Sequence, residues 1–164
     1  MESRAKLFGH AIHPILIVFP LGLLATGVIF DVIYLIWGNP AMATTAYYMI
    51  AAGLVGGAFA APPGWIDWFA IPSGTRAKSV GLTHGLGNVL VLVLFLISWW
   101  LRYNSTDFKP DTLAYILSFA GAGLALLTGW LGGELVERLG VGVDDGAHLD
   151  APNSLSGKPA SQSD

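Results

Sequence analysis

The chain has 164 residues, 54% of them hydrophobic and 12% charged, with a net charge of −3 and no cysteine. A soluble domain carries about a quarter charged residues, so this chain has too little polar surface to cover a water-exposed globule. The lack of cysteine excludes a disulfide frame and a thiolate metal site. With no basic run and no Gly-rich phosphate loop, nucleic acid is not an expected partner.

The apolar residues fall into four blocks. Pro14 to Trp37 contains one charge, Asp31, while Ala41 to Ala61, Val80 to Leu101 and Leu113 to Gly133 contain none. At about 1.5 Å per residue, each block can cross a hydrocarbon core of about 30 Å. The expected fold is therefore all-α, an integral membrane bundle of four transmembrane helices in residues 1–139. The spans are predicted at about 14–37, 43–61, 80–101 and 112–134. Arg4 and Lys6 before the first block and Ala41-Met42-Ala43 after it suggest a cleaved leader. A secretory apolar region is only about 7–15 residues long, so the segment is read as a retained first helix.

In chain order, the residue before a proline is pushed away from helical angles, so the first helix is expected to start at Pro14, after His13. Pro20 leaves the Leu16 carbonyl without its donor and predicts a kink. Gly38-Asn39-Pro40 predicts a tight turn. Pro62-Pro63-Gly64 is expected to end the second span, leaving Trp65 to Phe69 as an interfacial turn or short helix. Asp111 is the expected N-cap of the fourth helix. Gly140 to Asp164, rich in Gly, Ser, Pro and Asp, reads as a flexible cytoplasmic tail in which His148 is solvated.

Arg4, Lys6, Arg76, Lys78, Arg138 and Lys158 fall on one side of this topology, and only Arg102 and Lys109 on the other. The positive-inside rule then places both termini in the cytoplasm of a bacterial inner membrane. Trp37, Tyr47, Tyr48, Trp65, Trp68, Trp99, Trp100 and Tyr103 suit the span ends, where amphipathic rings favour the headgroup layer. Gly121, Ala125, Gly129 and Gly133 share one face of the fourth helix, and Ala52, Gly56 and Ala60 one face of the second. Small residues of this kind let helix backbones approach in lipid, and packing within the chain is expected.

Ionisable groups inside spans are costly and count as functional candidates. His10 and His13 open the first helix, His84 and Asn88 lie one turn apart in the third, and Asp67 follows the second. Glu134 and Glu137 close the fourth, so four segments bring polar groups to one membrane level. Asp31 stands apart near the other interface, where it is expected to be solvated or hydrogen-bonded. Imidazole suits zinc, copper or iron, and histidines on facing helices can hold haem. His10, His13 and His84 are thus candidate ligands of haem b or a transition metal. The glycines Gly81, Gly85 and Gly87 are expected to leave room for a macrocycle. Asp67, Asn88 and Glu134 are candidate groups for orienting the imidazoles. Beside this stands a plain structural reading, in which Asp67 caps a turn or pairs with Arg76, and His84–Asn88 is an interhelical hydrogen-bond pair. No catalytic residue is indicated by spacing.

The ordered motifs FGHAIHPILIVFPLGL, GWIDW, THGLGN and LGGELVERLGVGV carry a resemblance over about residues 7–143. On them the chain resembles the domain-of-unknown-function 2231 family of predicted bacterial membrane proteins. The resemblance implies a four-helix membrane domain and supplies no activity. Family members joined to Rieske or cytochrome-type modules imply an electron-transfer setting. Glu137-Arg138 stands where the family commonly has an aromatic-basic pair, so no role is carried to those positions. The leading expectation is electron transfer through a bound haem b or metal. The expected contacts are the lipid bilayer, a redox partner protein or a homo-oligomer. The alternatives are a non-catalytic structural membrane subunit and a proton or small-solute carrier using Asp67, His84 and Glu134.

Overall fold

The structure, a computed structural model, describes residues 1–163. A two-residue hairpin comes first: β1 (Lys6–Leu7) pairs antiparallel with β2 (His10–Ala11), with Lys6 opposite Ala11 and Leu7 opposite His10. Its turn needs positive φ at Phe8 and Gly9, 51° and 81°. Helix α1 (Ile12–Leu16) follows directly, then α2 (Val18–Trp37). The interruption at Ile17 has the cause expected from Pro20, whose missing N–H deprives the Leu16 carbonyl of a partner. The helix begins at Ile12, so His13 is helical although it precedes a proline.

Helix α3 (Pro40–Ala70) runs through Pro62 and Pro63 without ending. The expected break there does not occur, and Trp65 to Phe69 continue the same helix. Two prolines remove only the donors for the Ala58 and Phe59 carbonyls, and membrane helices tolerate such losses where neighbours pack closely. Helix α4 covers Arg76–Tyr103 and α5 covers Thr112–Gly133, continued by a π-helical turn at Glu134–Arg138. The starts of α3, α4 and α5 are capped by Asn39, Thr75 and Asp111, each side chain accepting from a first-turn N–H. Gly38, at φ 66°, closes α2 in the left-handed conformation.

Four helical stretches are long and apolar enough to cross a membrane: Ile12–Trp37, Pro40–Ala70, Arg76–Tyr103 and Thr112–Arg138. They form an all-α four-helix membrane bundle. Two antiparallel hairpins, α2 with α3 and α4 with α5, join along α3 and α4. Leu24, Ile50, Val91 and Phe95 make the buried core, and Phe59, Leu126 and Trp130 turn outward to contact lipid. Lipid tails are as apolar as these side chains, so close packing rather than water exclusion holds the helices together. A Cβ at Gly53 would stand 2.7 Å from Leu24, and one at Gly121 2.9 Å from Phe95. These glycines are where the backbones approach. The α5 stripe divides, however: Gly129 and Gly133 face open space.

The four crossings return the chain to the side from which it started. Residues 140–163 contain turns and no helix. Met1 donates from its ammonium to the Gly140 carbonyl at 3.1 Å, and Lys6 pairs with Asp144 at 2.5 Å. This is the near end of the bundle, and the opposite one is the far end. There Tyr47 is buried rather than lying in a headgroup belt, stacked on Phe108 at 3.9 Å and Trp99 at 5.3 Å.

Candidate functional site: a histidine pair at the near end

His13 and His84 meet between α1 and α4, with ring centres 6.3 Å apart and planes at 88°. His13 Nδ1 lies 2.8 Å from the Ala60 carbonyl of α3. His84 Nδ1 lies 2.8 Å from the Thr128 carbonyl of α5. A carbonyl can only accept, so both Nδ1 atoms carry the proton, and in the neutral rings each Nε2 keeps a free lone pair. The pair thus draws on four helices, two for the rings and two for the acceptors that fix them.

Asn88 holds His84 from the adjacent turn. Its Nδ2 donates to the His84 carbonyl at 2.9 Å, while its Oδ1 accepts from Thr128 Oγ1 at 2.9 Å. That same Nδ2 lies 3.4 and 3.2 Å from the two ring nitrogens. Near-equal distances place it off the axis of the Nε2 lone pair, since a donor on that axis would stand much farther from Nδ1. Glycines make the space for both rings. A Cβ at Gly64 would stand 2.8 Å from His13 Nδ1, and one at Gly132 3.0 Å from His84 Cε1.

The remaining expected members stand elsewhere. His10 lies exposed in β2, with Nε2 3.4 Å from Ser154 Oγ. The hairpin and the start of α1 divide it from His13, so their close spacing does not make a joint site. Asp67 accepts from Ser3 Oγ at 2.8 and 2.9 Å, from the Arg4 N–H at 2.6 Å and from the Ala5 N–H at 3.1 Å. It therefore ties down the N-terminal segment and does not pair with Arg76. Glu134 takes Arg76 instead, at 2.6 Å. Of the three expected orienting groups, Asn88 alone touches a histidine, and backbone carbonyls do the rest.

The room expected for a macrocycle is filled. A Cβ at Gly81 would meet Trp68 at 2.9 Å, one at Gly85 would meet Trp65 at 3.3 Å, and one at Gly87 would meet Thr128 at 2.5 Å. Among the described residues no group of three or more His, Cys, Asp or Glu side chains gathers as a metal site.

Sequence reasoning missed a second polar centre, at the far end. Arg102 Nη1 and Nη2 donate to Asp31 Oδ1 and Oδ2 at 2.6 and 2.7 Å, and both side chains are 0% exposed. Ser98 and Ser118 lie beside them, 3.2 and 3.4 Å from Nη2. Asp31 is thus buried in an ion pair and not solvated, because α4 extends to Tyr103 and carries Arg102 into the bundle. The available signal was one acid and one base at matching depths near the ends of the first and third spans, which run in the same direction.

No curated protein and no solved structure matches the chain. A family model described as "Predicted membrane protein (DUF2231)" matches residues 9–145, which include both histidines and the ion pair. The chain therefore belongs to the DUF2231 family of predicted membrane proteins.

Proposed function

We infer that this is an inner-membrane electron-transfer protein whose His13–His84 pair holds a redox-active metal centre, as a haem b iron or a bare transition-metal ion. The supporting observation is the convergence of two imidazoles, each with Nδ1 bonded to a backbone carbonyl, which makes Nε2 the lone-pair nitrogen of each ring. Histidine ligands characteristically donate their other ring N–H in this way, which fixes the tautomer and raises the basicity of the bound nitrogen. His13 and His84 would hold the metal through their Nε2 atoms, the ring nitrogens not bonded to a carbonyl. Their ring centres stand 6.3 Å apart. A macrocycle would require Trp65 and Trp68 to move from the glycines they cover. A bound metal would supply the one-electron chemistry. The chain orients the two rings, keeps their Nε2 lone pairs available and surrounds them with apolar helices.

The test is an optical spectrum and metal analysis of detergent-purified protein, expressed with haem supplied. Expected are a Soret band or a stoichiometric metal, both lost in His13→Ala and His84→Ala and retained in His10→Ala. Protein that is folded, colourless and free of metal under these conditions would refute the reading.

A specific observation favours a second reading, a non-catalytic membrane subunit. The glycine bays around His84 are already packed by Trp65, Trp68 and Thr128, so the two rings can serve as interhelical ties alone. That reading expects His84→Gln to keep fold and partner association, with no metal in either form. The carrier reading has less support, because Asp67 and Glu134 are engaged by Ser3 and Arg76, away from His84.

A further inference from the structure

The far-end centre is richer in donors than its acceptors can satisfy. Asp31 from α2, Ser98 and Arg102 from α4, and Ser118 from α5 are all fully buried. Asp31 occupies the two terminal nitrogens of the guanidinium. The Ser98 hydroxyl donates to the Ala114 carbonyl at 2.7 Å, and Ser118 Oγ lies 3.2 Å from the Tyr115 carbonyl. Three buried donors lack an acceptor among the described residues, the Trp99 Nε1–H, the Arg102 Nε–H and the Tyr115 O–H, and the last two flank the ion pair. The Arg102 guanidinium carbon is 6.0 Å from the centre of the Tyr115 ring, so both belong to one neighbourhood. Arg102 itself is 0% exposed, which bars bulk water and lipid headgroups from its Nε.

Buried donors in folded proteins are paired in the great majority, with protein or with an ordered molecule. We propose that this centre is a binding site for a small neutral hydrogen-bond acceptor, an internal water, held by Arg102 Nε–H and Tyr115 O–H beside the Asp31–Arg102 pair. Charge decides its class. Asp31 already neutralises Arg102, so an anion would add an unbalanced charge at membrane depth, where each buried charge is heavily penalised. A cation would be repelled by the Arg102 guanidinium, whose Nε–H is a donor with no lone pair to offer. Water accepts from both and is the usual ligand of such buried polar clusters. The ion pair accordingly shares its site with a solvent molecule instead of being sealed in hydrocarbon.

The experiment is proton-detected NMR of arginine-labelled protein in lipid, following exchange between water and the Arg102 Nε–H. A persistent water cross-peak at this site is expected in the folded wild type. In Tyr115→Phe, which removes one donor at nearly constant volume, that cross-peak should weaken while the Asp31–Arg102 signals stay in place. Absence of the cross-peak in folded wild type, or its full retention in Tyr115→Phe, overturns the site. A shift of the Nε–H resonance when bromide replaces chloride would show an anion and overturn the neutral occupant. None of these outcomes depends on metal at the histidine pair.

Discussion

Asp31 and Arg102 are two full charges placed where lipid surrounds the bundle, and each is tolerable only because the other is there. Two terminal guanidinium nitrogens facing two carboxylate oxygens give a bidentate pair. Removing one partner strands the other charge. Asp31→Asn should therefore lower stability by about 3–5 kcal/mol, read as the shift in an SDS-unfolding titration in mixed micelles. The double change Asp31→Leu with Arg102→Met should recover most of that loss, because apolar residues of similar volume often replace a buried pair without penalty. An unchanged midpoint in Asp31→Asn would show that solvent reaches the pair. The histidines obey a milder rule. Each is held by one backbone acceptor, so its tautomer is set by helix placement and not by a neighbouring acid.

At the scale of the elements, the glycines sort the helix faces. Gly132 lies under His84 on α5, whereas Gly129, three residues earlier, faces open space. Gly132→Ala should thus push the imidazole aside at about 1–3 kcal/mol, with Gly129→Ala near neutral in the same unfolding assay. If both variants behave alike, the close approach of α5 to His84 is wrong. The proline effects also depend on the element. Pro20 breaks the first span at Ile17, while Pro62 and Pro63 lie within an unbroken α3. Sequence indicated a disturbance at both places, and it was right about the first. The second went unread because continuity there depends on packing with neighbours, which no local pattern encodes.

Across the whole molecule, the chain ends are tied together at the near end. Hydrogen bonds from Lys6 hold the Glu2 carboxyl below its usual pKa, and Asp144 and Glu2 hold the Lys6 ammonium above its own. A raised lysine pKa stabilises below its unfolded value and is lost as pH rises through the folded one. A lowered carboxylate stabilises above its unfolded value and is lost as pH falls. The tie should therefore hold from about pH 5 to pH 10 and open on either side. Hydrogen exchange of residues 141–146 would show faster labelling outside that window, and a flat profile would count against it. Orientation is a second prediction at this scale. The chain contains no cysteine, so single replacements report cleanly. Lys109→Cys should react with an impermeant maleimide on intact cells, and Ser73→Cys only after permeabilisation. The reverse pattern would place the termini outside.

Composition and block length alone determined that this is a four-span helical membrane protein, because 20-residue runs without charge have few other stable solutions. The family could likewise be read from its motifs. Which polar residues meet was decided only by the tertiary structure. It brought His13 to His84, left His10 in a hairpin, turned Asp67 and Glu134 to other partners and joined Asp31 to Arg102. The physical reason is that hydropathy fixes depth along the membrane normal, whereas a contact also depends on helix rotation and neighbour choice. Those are set by glycine approaches and backbone acceptors contributed by other helices.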